Sequence, residues 1–244
     1  MPHRYFTTRV TDTHAYLDGA DAKHFCVVMR AKPGEEAVLC DGAGTDYLCR
    51  AVHCAPDLCE LEILSSEKSV SEPSVAVTLY VGYPKADKLE WIIQKGVELG
   101  AVRIVPFFSR YCVVTPKKEE QKNERYQRIA LEAAKQAGRG IIPKVEMPLS
   151  FAQMLQEAAQ HDEALFLYEK GGQPLHSRLQ NTPKRVAIIT GSEGGSEGGF
   201  SEEEANAAHR AGCVPIGLGA RILRCETAPV AALSVVMAQT GNLR

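Results

Sequence analysis

The sequence predicts an α/β protein in two parts: a small β-rich module, then a parallel α/β domain that runs to the end of the chain. Three observations predict it. Up to about residue 67, short apolar runs are broken by turn signals, whereas from residue 75 β-branched runs alternate with segments of helical spacing. Between them, residues 65–74 are rich in serine and charge and end near a proline, the composition of a linker. The expected domains are therefore 1–68 and 75–244.

In the first part, Lys32-Pro33-Gly34, Asp41-Gly42-Ala43-Gly44 and Ala55-Pro56-Asp57 mark turns. The runs at 37–40, 47–52 and 58–64 suit strands, and 21–30 suits one short helix. In the second part, residues 75–81 read as a buried strand. Leu89, Ile92, Ile93 and Val97 follow at helical spacing, and 103–108 returns to strand character. Residues 124–137 predict an amphipathic helix with Tyr126, Ile129, Ala130, Ala133 and Ala137 on one face, ended by Gly138. Runs at 165–168, 185–190 and 214–218 complete the strand set, and alternation with helices argues for a parallel sheet. The last helix, 229–239, is apolar almost all round, so it belongs in a core or a subunit interface.

Composition excludes several classes. With 244 residues, 45% hydrophobic and 24% charged, the chain is an ordinary globular protein with room for two domains. No stretch approaches the roughly 20 apolar residues that cross a bilayer, so no membrane partner is expected. The start, MPHRYFTTRV, lacks the apolar core of a signal peptide, which makes the cytoplasm the expected location. None of the eight cysteines forms a C-x-x-C pair, and Cys49, Cys54 and Cys59 with His53 match no standard zinc spacing. No metal is expected; these cysteines read as small buried hydrophobes. Net charge is −2, but residues 85–144 carry 13 basic against 7 acidic side chains, while 1–70 carry 7 against 11. The basic block suits a phosphate backbone, and equally a solvated helix face.

The chemistry-bearing signal lies at 188–201, Ile-Ile-Thr-Gly-Ser-Glu-Gly-Gly-Ser-Glu-Gly-Gly-Phe-Ser. A strand ends, a glycine-rich loop follows, and Ser201 with Glu204 caps a new helix. The loop lacks the lysine of a P-loop and the G-x-G-x-x-G of a dinucleotide site, so phosphate cradling and a dehydrogenase are poorly supported. Taken alone it is compatible with a plain surface loop. A second element, Gly217-Leu218-Gly219-Ala220-Arg221-Ile222-Leu223-Arg224-Cys225-Glu226-Thr227-Ala228, follows another buried strand and leads into the apolar helix. Its charges need either partners, such as Glu226 for an arginine, or a task.

Together these elements resemble the SPOUT class of methyltransferases, and within it the ribosomal RNA small subunit methyltransferase E family. The resemblance runs nearly end to end, through His3-Arg4-Tyr5-Phe6, Glu98-Leu99-Gly100, the 132–139 string Glu-Ala-Ala-Lys-Gln-Ala-Gly-Arg, the glycine loop and 218–228. It implies a SPOUT-type α/β domain with a C-terminal trefoil knot, preceded by a small PUA-like β-barrel that orients RNA. It also implies a homodimer with S-adenosyl-L-methionine in the knot, methylating N3 of a uridine in 16S rRNA, with the assembled small subunit as partner. A SPOUT enzyme acting on another RNA such as tRNA, and an inactive RNA-binding assembly factor, are the alternatives.

The family loop reads G-P-E-G-G-F-S, whereas here serine replaces proline and Ser-Glu-Gly-Gly occurs twice, so Gly191 or Gly195 takes the first glycine position. Gly191 is favoured because it ends the strand. The expected cofactor walls are Leu167, Tyr168 and Glu169; Thr190 and Gly191; and Leu218, Gly219, Ile222 and Leu223. Arg221 or Arg224 is expected to stabilise the uridine anion, and Glu226 to take the proton or orient an arginine. RNA contacts are expected from Arg4, Arg110, Lys117, Arg128, Lys135 and Arg139.

Overall fold

A computed structural model describes residues 3–85, 87–113, 119–193 and 199–243. The chain forms two compact units, 1–72 with 134–142, and 73–133 with 143–244.

The first unit is built on strands β1 (His3–Phe6), β2 (His14–Asp18), β3 (Glu36–Cys40), β4 (Thr45–Cys54) and β5 (Leu58–Lys68), in the spatial order β1-β3-β4-β5-β2. Only β1 and β3 run parallel; the other pairs are antiparallel. Alternate side chains, among them Tyr5, Leu17, Leu39, Cys49, Cys59 and Leu61, meet Phe25 in one core. Burial pushes the Cys49 thiol up to about 11, in keeping with a packing role. Strand β5 runs through Ser65, Ser66 and Glu67 to Lys68, into the expected linker. Its ladder with β4 continues to the pair Thr45–Lys68, so backbone pairing outlasts the apolar pattern that marked the strand. The expected helix over 21–30 is instead a five-residue helix α1 (Gly19–Lys23) followed by a π turn (His24–Val28).

Residues 134–142 join this unit through ties remote in sequence. The Glu72 carboxylate accepts from the Arg139 guanidinium at 2.7 Å and from the N–H groups of Gly140 and Ile141 at 2.8 and 3.0 Å. Gly140 packs so closely that a Cβ there would lie 2.2 Å from the Ser69 Cβ.

The second unit holds an all-parallel sheet with helices. Its elements are β6 (Ala76–Gly82), α2 (Lys88–Glu98), β7 (Arg103–Phe108), α3 (Glu119–Gln136), β8 (Lys144–Val145), β9 (Leu149–Ser150) and α4 (Phe151–Ala158). There follow β10 (Glu163–Leu167), β11 (Gln173–Pro174), β12 (Arg185–Thr190), α5 (Glu202–Arg210), β13 (Val214–Gly217) and α6 (Thr227–Gln239). The last residues of α3 fall in the 134–142 segment of the first unit. Strand order is β11-β13-β10-β12-β6-β7-β8, with β9 also paired to β7. After β6 the chain first builds one flank of the sheet and then crosses to the other, so β6 and β12 face each other across a switch in winding. Ligands of parallel sheets bind at the carboxyl ends of strands beside such a switch. Helix α6 buries Pro229, Ala232, Leu233, Val236 and Met237 but leaves Val235 exposed, so a single chain covers only part of this apolar helix. Among the described residues no helix is long and apolar enough to cross a membrane.

Candidate active site

The carboxyl ends of β10, β12 and β13 open onto one cavity of about 840 Å³. It is lined by Leu167, Tyr168 and Glu169 after β10, by Thr190 and Gly191 after β12, and by Leu218, Gly219, Arg221, Ile222, Leu223 and Arg224 after β13. Two segments that share no sequence neighbourhood, the glycine loop and the arginine loop, therefore wall the same cavity. Arg110 and Tyr111 add a further rim beyond β7.

Glycine is needed here because backbones nearly touch. A Cβ on Gly82, at the end of β6, would lie 2.5 Å from the Ser192 nitrogen. One on Gly191 would lie 2.7 Å from the Gly199 backbone, and one on Gly199 only 2.5 Å from a Glu169 carboxylate oxygen. Gly199 also sits at φ +81°, a conformation open to glycine at little cost. The Gly199 N–H donates to the Ser192 carbonyl at 2.9 Å, closing the neck of the loop. Beyond it Phe200 is buried against Phe166, and the Ser201 hydroxyl and Glu204 form the expected capping box. Gly191 thus occupies the strand-end position, while Gly195 lies outside the described residues.

The two walls are joined by a charged tie. Lys88, the first residue of α2, bridges Glu193 of the glycine loop and Glu226 of the arginine loop, the latter at 3.3 Å. The Cys225 thiol donates to Glu193 at 2.8 Å and lies 3.2 Å from Glu226, and the Lys85 N–H donates to Glu193 at 2.8 Å. Burial disfavours the charged form of Glu193, but the thiol, Lys88 and the Lys85 N–H outweigh it and hold the carboxyl low. For Glu226, too, burial is outweighed, by the backbone N–H, Cys225 and Lys88. Burial, helped by both carboxylates, pushes the Cys225 thiol up. The donor atoms of Glu193, Cys225 and Glu226 lie within 4.8 Å of one another, close enough to share an ion, yet Lys88 already supplies the positive charge there.

The expected catalytic arginines are open to solvent. The Arg224 side chain is 83% exposed and only 4.0 Å from Glu226, and Arg221 is exposed at the rim. Glu226 does not line the cavity itself; it stands behind the wall with Lys88. Ile222, expected in an apolar slot, is 85% exposed at the mouth.

The expected RNA contacts divide. Arg128 is exposed, and Arg110 at the cavity rim pairs with Glu203 at 3.0 Å, both side chains open to solvent. Lys117 lies outside the described residues. Three others are engaged within the protein. Arg4 is clamped by both oxygens of Asp46, Lys135 by both oxygens of Asp21, and Arg139 is 2% exposed on Glu72. Arg139 is spent on a partner that lies far upstream, where helical spacing cannot show it.

Sequence reasoning missed Lys88, Glu193 and Cys225 as the tie. Glu193 and Cys225 sat inside the two motifs already singled out, but nothing in the spacing of Lys88 pointed to either loop.

Known proteins match this chain over most of its length. The RNA methyltransferase domain family matches residues 71–237, and the RNA methyltransferase PUA domain family matches 17–64. The ribosomal RNA small subunit methyltransferase E of Bacillus subtilis is 35% identical over 235 residues, covering 93% of this chain and 91% of that protein. The chain belongs to the ribosomal RNA small subunit methyltransferase E family. The crystal structure of the methyltransferase E from Neisseria gonorrhoeae, bound to S-adenosyl methionine, superposes with a TM-score of 0.84 at 26% identity, covering 98% of each chain. A methyltransferase of Legionella pneumophila in complex with the same cofactor gives 0.83 at 28% identity, again over 98% of each. The five-stranded first unit is thus PUA-like, and the second is the RNA methyltransferase domain of this family.

Proposed function

We propose that this protein transfers a methyl group from S-adenosyl-L-methionine to N3 of a uridine in 16S rRNA. The observation that carries the reading is the single cavity formed by the glycine and arginine loops in a chain of this family. Its volume falls within the about 300–1,000 Å³ of small-molecule sites. Leu167, Leu218 and Leu223 offer an apolar slot, and Thr190 and Gly191 present backbone groups where side chains would obstruct. The residues therefore fit the cofactor. When bound, it supplies an electrophilic methyl on a sulfonium, and transfer leaves a neutral thioether.

The chain's own residues must orient the base and manage the N3 proton. Arg224, with Arg221, stands where a guanidinium can face the carbonyl oxygens flanking N3, stabilising the anion as the proton passes to water at the open mouth of the cavity. Glu226 is held charged by a backbone N–H, Cys225 and Lys88 and sits behind the wall, which suits orienting Arg224 more than accepting the proton. In this reading the segment 75–244 carries the transfer and 1–68 orients RNA, with Arg110 and Arg128 as phosphate contacts. The exposed side of α6, with Val235, is the face through which two copies would pair, and the last segment would thread the trefoil knot. A protein that acts on 16S rRNA in small subunits would work in the cytoplasm.

Mass spectrometry of nucleosides, after incubation with cofactor and assembled small subunits, tests the assignment. N3-methyluridine is the expected product. A methyl on ribose, or transfer only to tRNA, overturns the target; cofactor binding with no transfer to any RNA favours the assembly-factor alternative.

A further inference from the structure

We propose that residues 23–32 of the first unit form a docking surface for irregular, partly unpaired ribosomal RNA. Val27, Val28 and Met29 lie against exposed bases, and Lys23, Arg30 and Lys32 hold the neighbouring phosphates. The proposal rests on the rRNA reading above and adds where on the PUA-like unit the RNA is held.

The local chain explains why this segment protrudes. Ala22, Phe25 and Ala31 are buried in the core of the unit and pin the segment at its start, middle and end. Between these anchors the chain widens into the π turn, closed by the Met29 N–H on the His24 carbonyl at 2.9 Å, and the Ala31 N–H returns to the Phe25 carbonyl at 3.1 Å. The wide turn rotates three consecutive large apolar side chains outward: Val27, Val28 and Met29 are 49%, 63% and 36% exposed. Arg30 follows at φ +57°, a left-handed conformation disfavoured for a residue with a Cβ. Single-turn π elements and such backbone outliers concentrate at functional sites.

Charge singles out the same stretch. No acidic residue occurs between Asp21 and Glu35. Elsewhere in the unit Arg4, Arg9, Arg50, Lys135 and Arg139 are each engaged by a carboxylate. Among the described residues, the lysines and arginines of this unit with no carboxylate in ion-pair contact are Lys23, Arg30, Lys32 and Lys68, three of them in this segment. Free cations beside exposed aliphatic side chains suit a polyanion with unstacked bases: the cations take phosphates, and the aliphatics cover base faces that a regular duplex would hide.

Two variants separate the contributions, Val27→Ser with Val28→Ser and Met29→Ser, and Lys23→Ala with Lys32→Ala. All substituted side chains are exposed, and thermal melting monitors the fold. Affinity for naked 16S rRNA is measured between 50 and 200 mM salt. The lysine variant should bind at least about tenfold more weakly at the low-salt end and lose about 1.5 from the slope of log affinity on log salt. The aliphatic variant should bind about tenfold more weakly with its slope unchanged. Folded variants that bind like wild type overturn the surface alone. Variants that bind naked rRNA normally but lose affinity for assembled subunits overturn it in favour of a ribosomal protein. A wild type that neither binds nor methylates rRNA removes the reading beneath the surface, and the surface with it.

Discussion

The arginines of the first unit and those of the cavity rim are the same chemical group in opposite circumstances. Arg139 is enclosed, with Glu72 accepting from it and from two neighbouring backbone N–H groups. Arg224 stands in solvent, with Glu226 at the limit of ion-pair distance. An enclosed guanidinium whose donors are spent on protein is architecture, since an incoming phosphate or base would have to displace a carboxylate. An exposed one beside a cavity keeps its donors for a ligand, and its freedom costs the fold nothing. Partner and burial, rather than residue type or position in a basic block, separate the two roles.

That contrast can be broken most sharply at Arg139. Arg139→Ala leaves Glu72 charged and unmatched beside its backbone donors, and the folded state should lose about 3–5 kcal/mol in denaturant titration. The paired change Arg139→Met with Glu72→Gln should recover most of the loss, because the amide oxygen still accepts from Gly140 and Ile141. A small loss in the single variant would mean Arg139 is not a strut. Arg224→Ala should do the reverse. Stability should stay within about 0.5 kcal/mol, as for an exposed side chain, while turnover falls about 10²–10³-fold. A folded Arg224→Ala enzyme with near-normal turnover would remove the arginine from the chemistry.

The cavity walls supply a second contrast, between what was legible in the sequence and what was not. Strand ends running straight into loops announced Leu167–Glu169, Thr190–Gly191 and Leu218–Gly219, because strand, turn and loop are encoded within a few residues. The capping box of α5 was legible for the same reason. The partners of Arg4, Lys135 and Arg139 were not, since Asp46, Asp21 and Glu72 lie 42, 114 and 67 positions away. Nor was the turn at His24–Val28, where Phe25 and Ala31 must both reach the core and a regular helix gives way. Gly82 belongs to this class as well: its need for glycine comes from Ser192, across the switch in the sheet. Gly82→Ala should cost about 1–3 kcal/mol of overpacking, seen as a lowered melting temperature and weaker cofactor binding in calorimetry. An unchanged cofactor affinity would show that the glycine loop yields freely.

The smallest effect should come from the tie between the walls, and it carries a pH signature. Glu193 and Glu226 both titrate below the ordinary glutamate value of 4.5 in the folded protein. The folded state therefore binds fewer protons there and folding releases them, so their contribution is complete above about pH 4.5 and is lost as pH falls through the lower folded values. Lys88 is part of the reason, and with a third of its side chain exposed its pairs are worth only about 1 kcal/mol. Lys88→Met removes the shared cation and leaves two carboxylates facing one thiol. Cofactor affinity at pH 7 should fall about fivefold, and because one carboxyl then titrates higher, the affinity of the variant should approach that of wild type as pH drops toward 5. A pH-independent loss would make Lys88 a packing residue, and no loss would mean that the two loops hold their places without it.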